Sequence, residues 1–271
     1  MFYGAKNHAL SFNGNIYDYI TFGKGDKPLI MIPGLGDGLK TVKGLALPFA
    51  RLYKRYAKQY KVYVFSRPRT LKEGMTVLDM AHDLADLFKH LGIVNAHVIG
   101  LSQGGMIAQH LAIHHPSLID RLVLSVTLAE QTPTVQHVIG HWIRLAQAND
   151  YRSLFIDTLE KTYTEKKLKR YRPWYFVLTR VGKPKSMQRL LIQAQACLTH
   201  DTLNQLTDIP HPTLVVGGDQ DLVVGEGTSE TLAKHIPNAT LVLYHGLGHG
   251  AYDEAKDYDA QVLRFLAASE R

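Results

Sequence analysis

The stretch "HVIGLSQGGMIAQH", His97 to His110, decides how this chain is read. Its first half is a short apolar run of the kind that forms a strand covered on both faces. Its second half begins a helix. Ser102 stands at the join, in the frame Gly100-Leu101-Ser102-Gln103-Gly104. A serine on such a strand-to-helix turn is held at unfavourable backbone angles. Side chains two residues to either side would meet neighbouring backbone, so glycine is expected there. The turn also sets the serine at a helix N-terminus, where free N–H groups favour developing negative charge. The bland alternative is a turn serine that caps the helix.

Working outward, the same rhythm recurs. "NIYDYITFG" (Asn15–Gly23), "PLIMIPG" (Pro28–Gly34), "KVYVFSRP" (Lys61–Pro68), "RLVLSVT" (Arg121–Thr127), "PTLVVGG" (Pro212–Gly218) and "ATLVLYHG" (Ala239–Gly246) read as strands. Helical patterns lie between them. In "TVLDMAHDLADLFKHLG" one face carries Val77, Met80, Ala81, Leu84, Leu87, Phe88 and Leu91, with Thr76 and Asp79 placed as a capping box and Gly92 as a stop. "GTSETLAKHIP" and the terminal "DYDAQVLRFLAAS" also read as helices. Alternating strands and helices imply a mostly parallel sheet covered on both faces, an α/β fold. The rhythm breaks over residues 131–205. That segment lacks β runs and has amphipathic stretches around Trp142–Ala148 and Ser186–Leu198. It is expected to be a helical cap inserted between core strands, with residues 1–130 and 206–271 forming the core.

Charge marks the same segment. The chain of 271 residues has a formal net charge of +7. Twelve basic and five acidic residues lie between Gln131 and Gln205, so this segment carries the whole excess. A solvated face is the plain reading, attraction of anionic substrates the next. No nucleic-acid motif accompanies the charge, so no nucleic-acid partner is expected. No apolar run approaches the ~18 residues of a membrane span, and the N-terminal stretch lacks the pattern of a cleaved signal. A cytoplasmic protein without stable membrane association is expected. The single cysteine, Cys197, fits a reducing compartment and reads as a small buried side chain. No zinc-type Cys/His spacing occurs, so neither metal nor cofactor is expected. These patterns set no oligomeric state.

A serine nucleophile needs a base, and the base an orienting acid. The chain order serine, acid, histidine directs the search downstream. "TLVVGGDQDLVV" offers Asp219 and Asp221; "LVLYHGLGHGAYDE" offers His245 and His249. His249 lies in a glycine-rich loop that lets an imidazole reach across. His245 closes a strand and reads as structural, and Asp219 reads as a turn residue. Ser66 and Ser125 end other strands without a glycine frame. His114 and His115 suit the negative pole of a helix end.

Together these segments resemble the α/β-hydrolase fold family over nearly the whole length. "GLSQGG" resembles its nucleophile elbow and "GLGHGAY" its C-terminal histidine motif. "GGDQDLVV" resembles its acid motif, which selects Asp221. "MIPGLGDG" resembles its oxyanion loop, with Pro33-Gly34 where many members have His-Gly. The resemblance implies a triad of Ser102, His249 and Asp221, with the backbone N–H groups of Leu35 and Gln103 as oxyanion donors. It also implies a serine hydrolase cleaving a carboxylic ester or similar small-molecule acyl substrate. Carbon–carbon hydrolases, enol-lactonases and acyltransferases share the motifs, and a small-molecule receptor retaining the triad is the alternative of another class. Trp142, Phe155 and Trp174 of the cap are expected to wall the pocket, with Tyr175 and Phe176 nearby.

Overall fold

The computed structural model describes residues 3–180 and 182–268. Eight strands form one sheet: β1 (Lys6–Phe12), β2 (Asn15–Phe22), β3 (Pro28–Ile32), β4 (Lys61–Phe65), β5 (Ala96–Leu101), β6 (Ile119–Ser125), β7 (Thr213–Gly218) and β8 (Ala239–Tyr244). Their spatial order is β1-β2-β4-β3-β5-β6-β7-β8. The first two strands are antiparallel to their neighbours, and β3 to β8 run parallel.

Every residue of β7 is buried, as are five of the six in β5, which accounts for their unbroken apolar runs. The edge strand β1 alternates exposed and half-buried positions instead. It was not among the expected strands. Asn13 and Gly14 both have positive φ, 48° and 73°, and so form the tight turn that joins β1 to β2.

Helices cover both faces: α1 (Ala46–Leu52), α2 (Lys54–Ala57), α3 (Val77–His90), α4 (Gln103–His114), α5 (Pro133–Gln147), α6 (Tyr151–Thr162), α7 (Glu165–Tyr171), α8 (Tyr175–Leu178), α9 (Gln188–Cys197), α10 (Thr228–His235), α11 (Ala251–Glu254) and α12 (Tyr258–Leu266). The Thr76 hydroxyl accepts from the Asp79 N–H, and the Asp79 carboxylate accepts from the Thr76 N–H, so α3 opens on a full capping box. Buried side chains of α3 and α4 pack on one sheet face; α1, α2 and α12 cover the other. Helices α5 to α9 all fall between β6 and β7.

The strand order places the site. From β3 the chain moves outward to β4, then returns to lay β5 on the other side of β3. A crevice therefore opens at the carboxyl ends of β3 and β5, where parallel sheets hold ligands. The residues that leave those two strands are Pro33-Gly34-Leu35 and Ser102-Gln103.

Candidate active site

Ser102 has φ 53° and ψ −119°, a conformation a non-glycine residue adopts only under constraint. The constraint is visible. Its N–H donates to the Ser125 carbonyl at 2.9 Å, and its own carbonyl accepts the Thr127 hydroxyl at 2.8 Å and the Gly105 N–H at 2.8 Å. The flanking glycines are obligatory. A Cβ at Gly100 would lie 2.5 Å from the Gly104 carbonyl oxygen, and one at Gly104 would lie 2.0 Å from that of Ile32. The serine side chain makes no capping bond to α4, so the bland reading of Ser102 fails.

Its hydroxyl faces an imidazole instead. His249 Nε2 is 3.1 Å from Ser102 Oγ, and His249 Nδ1 is 2.8 Å from Asp221 Oδ2. A carboxylate only accepts, so the contact puts a proton on Nδ1, and the tautomer bearing that single proton turns its Nε2 lone pair toward the serine. Asp221 is itself held: its Oδ1 accepts the N–H groups of Val223 at 2.8 Å and Val224 at 3.0 Å. All three side chains descend from loops at the carboxyl edge of the sheet. The His249 loop is tied to the end of α6, because Gly250 N–H donates to the Thr162 carbonyl at 2.7 Å. A Cβ at Gly248 would lie 2.6 Å from the Gln220 carbonyl oxygen, which explains the glycine beside the histidine.

The competing residues are engaged elsewhere. Asp219 pairs with His245 at 2.9 Å, on an imidazole that is 84% exposed, and the hydrogen bond from His245 lowers the Asp219 pKa. Ser66 Oγ accepts the Val42 N–H, and Ser125 Oγ pairs with the Tyr258 hydroxyl at 2.7 Å.

Two first-turn backbone N–H groups lie on the segments that meet at the serine. Gln103 opens α4 and Leu35 opens the 3-10 turn Leu35–Gly38; a first-turn N–H has no acceptor within its own helix. Gly34 brings the two segments together, since a Cβ there would stand 3.3 Å from the Ser102 Cβ. In front lies a cavity of about 350 Å³, with Leu35, Leu39, Leu101, Trp142, Leu154 and Leu190 among its walls. This combination can move the serine proton to an imidazole and receive negative charge beside two N–H groups.

The expected aromatic walls need correction. Trp142 does line the cavity, its indole N–H fixed on Asp157 at 2.7 Å. Phe155 is not on the lining; its ring packs on Tyr151 at 5.7 Å, one turn away on the same helix. Trp174 is 61% exposed on the outer surface, as is neighbouring Phe176 at 64%, because their short helices carry no buried face. The Tyr175 hydroxyl donates to Glu160.

Sequence reasoning missed a buried polar cluster behind the Leu35–Gly38 turn. The Gln103 side chain accepts from Arg67 Nη2 at 2.8 Å and donates to the Gln193 carbonyl at 2.8 Å and to Cys197 Sγ at 3.1 Å. Burial pushes the Cys197 thiol up to about 12, so it stays protonated. Asp37 accepts the Arg67 N–H at 3.2 Å and Arg189 Nη2 at 2.8 Å. Only the burial of polar residues far apart in the chain announces this cluster.

Among the described residues no group of three or more His, Cys, Asp or Glu side chains could hold a metal ion, and no helix is long and apolar enough to cross a membrane.

The comparisons agree with this fold. A family described as alpha/beta hydrolase fold matches residues 27–256. A protein of Caulobacter sp. (strain K31) provisionally named carbamate hydrolase RutD is 29% identical, over 73% of this chain and 75% of the relative. A 2-hydroxymuconate semialdehyde hydrolase of Pseudomonas putida is also 29% identical, over 76% of this chain and 71% of its own. The crystal structure of MGS-M2, an alpha/beta hydrolase enzyme from a Medee basin deep-sea metagenome library, superposes with a TM-score of 0.87 at 20% identity, over 97% of this chain and 98% of that one.

Proposed function

The chain belongs to the α/β-hydrolase fold family, and from that premise we propose that it is a serine hydrolase that cleaves a carboxylic ester through an acyl-enzyme. The observation that carries the reading is the row Asp221–His249–Ser102, 2.8 Å and 3.1 Å between partners, with the serine held at positive φ.

His249 Nε2 takes the Ser102 proton as Oγ attacks the acyl carbonyl, and Asp221 stabilises the imidazolium. The N–H groups of Leu35 and Gln103 hold the oxyanion, an effect of about 3–4 kcal/mol per donor. His249 then gives its proton to the leaving alcohol, and water releases the acid by the reverse sequence. Residues 131–205 act as a cap over the site and set specificity through Trp142 and the α9 face. The substrate is a small molecule, and the place of action is a reducing compartment such as the cytoplasm, in keeping with the lone, buried Cys197.

The likeness to the 2-hydroxymuconate semialdehyde hydrolase favours a second reading, carbon–carbon bond hydrolysis of a dienoate by the same residues. A panel of esters, lactones, thioesters, carbamates and dienoates separates the two. Ser102→Ala, His249→Ala and Asp221→Asn are each expected to lower kcat by roughly 10⁴-fold or more. Asp219→Asn, whose partner is an exposed histidine, is expected to leave it within about twofold, as surface changes usually do. A full loss in Asp219→Asn with activity retained in Asp221→Asn overturns the acid assignment. Failure of a fluorophosphonate to label Ser102 overturns the nucleophile.

A further inference from the structure

A second cavity of about 610 Å³ lies beyond the first. The two share Pro33, Phe49, Leu101 and Tyr252 as walls. Leu101 directly precedes the serine and Pro33 directly precedes the oxyanion glycine, so the second cavity begins one residue from the reacting atoms. Its floor is the sheet face of Met31, Val64 and Ile99.

The helical run from Leu45 to Ala57 links the two spaces. Leu45, Phe49, Tyr53 and Tyr56 fall at spacings of four, four and three residues, one stripe of a helix. Leu45 lines the first cavity, Phe49 both, and Tyr53 and Tyr56 the second. Ring centroids step along this stripe at 5.5 Å and 6.1 Å. Such a stripe ordinarily buries itself in a core. Here its Phe49 and Tyr53 members are only partly buried and line the chamber across from Tyr252 and Tyr258, while Tyr56 is buried. Independently, the Tyr56 hydroxyl is buried and has no hydrogen-bond partner among the described residues, on a lining that also carries Tyr53, Tyr163, Tyr252 and Tyr258. Lys54, Arg55, Lys256, Asp253 and Asp259 stand around the cavity, three cations and two anions, giving it a polar rim of mixed charge.

We propose that this second chamber is a substrate subsite that takes an extended apolar arm, an alkyl chain or a flat ring system, while Ser102 works on the bond at its inner end. The inference rests on the hydrolase reading and names its substrate class: molecules with two arms, one filling the cavity under Trp142 and Leu190, the other running along the Phe49–Tyr53–Tyr56 stripe.

The test separates binding from turnover. Decanoate is titrated calorimetrically into the Ser102→Ala protein. It is expected to bind, and Ala255→Trp, which fills the chamber, is expected to weaken it about tenfold, the loss of roughly two buried methylenes. Leu52→Glu is expected to weaken it in the same direction, at a position 65% exposed where folding does not depend on the side chain. No binding, or equal affinity in the parent and both variants, overturns the proposal. In the Ser102 protein, kcat/KM for p-nitrophenyl decanoate and decyl acetate is compared with that for ethyl acetate. An about tenfold relative fall in Ala255→Trp for the first assigns the acyl arm to the chamber, and for the second the alcohol arm; a fall in neither overturns it. Absence of hydrolysis of any ester by the unaltered enzyme overturns the ester-hydrolase reading instead, and the titration still judges the chamber.

Discussion

At Ser102 the fold holds a residue where its intrinsic preferences oppose it. The φ of 53° with ψ of −119° costs an L-residue of the order of 1–3 kcal/mol, and the bonds to Ser125 and Thr127 hold it there. Glycine has no Cβ to penalise at these angles. Ser102→Gly is therefore expected to raise stability by about 1–2 kcal/mol, visible as a Tm increase of about 2–4 °C, while activity disappears. A lower Tm than the parent's would show that the turn is not strained. The glycine frame that forces this geometry is written locally, within five residues, so the elbow could be read from the sequence. The same holds for His249, whose glycine neighbours lie within two residues of it. Asp221 needed one more step, the choice over Asp219, and the structure gives the reason: Asp219 closes the turn to Gly246 N–H at 2.7 Å while Asp221 turns inward.

Helix α9 illustrates what the sequence could not disclose. Its amphipathic pattern suggested a face packed on the core, yet its chemistry depends on residues 90 to 156 positions away. Arg189 Nη1 donates to the Asp37 carbonyl at 2.6 Å and Nη2 to its carboxylate, and it also reaches the carbonyls of Pro68 and Arg67. Gly38 lets the helix approach, since a Cβ there would lie 2.7 Å from the Leu190 Cα. One buried cluster thus secures both segments that carry the Leu35 and Gln103 N–H groups, and one of the twelve cations counted in the segment, Arg189, is a partly buried anchor. Arg172 and Lys167 pair with Glu160, Glu165 and Asp253 at the surface, so these two cations are matched locally by carboxylates while staying on the solvated face. Arg189→Met leaves Asp37, with a side chain 1% exposed, facing a neutral group. The expected cost is about 3 kcal/mol, as for a buried pair broken on one side, measured as a shifted urea midpoint. If α9 only covers the site, kcat should follow the folded fraction. If it also steadies the Leu35 loop as an oxyanion donor, as proposed, kcat should fall further than the folded fraction does, with KM little changed.

Across the whole molecule, histidines other than His249 give acid sensitivity. His97, His110 and His200 are buried, the last two side by side, and burial lowers their pKa from 6.5 to about 4, 4 and 3. For His97 the Asp120 carboxylate at 3.5 Å opposes the shift, and Lys27 and Arg121 add to it. His110 and His200 face each other at 5.2 Å between centroids, so a charge on either disfavours the other. The folded state keeps all three neutral between pH 6.5 and about 4, whereas the unfolded chain protonates them there. Because the unfolded state binds more protons in this window, stability is expected to fall as pH drops from 6.5 toward 4, and this contribution is complete below about 3. Above pH 6.5 the three residues add no slope. Chemical denaturation at intervals from pH 7.5 to 4.5 measures it. His200→Gln, which keeps an amide N–H for the Leu128 carbonyl without a titrating ring, is expected to flatten the decline. An unchanged slope in that variant would place the acid lability elsewhere.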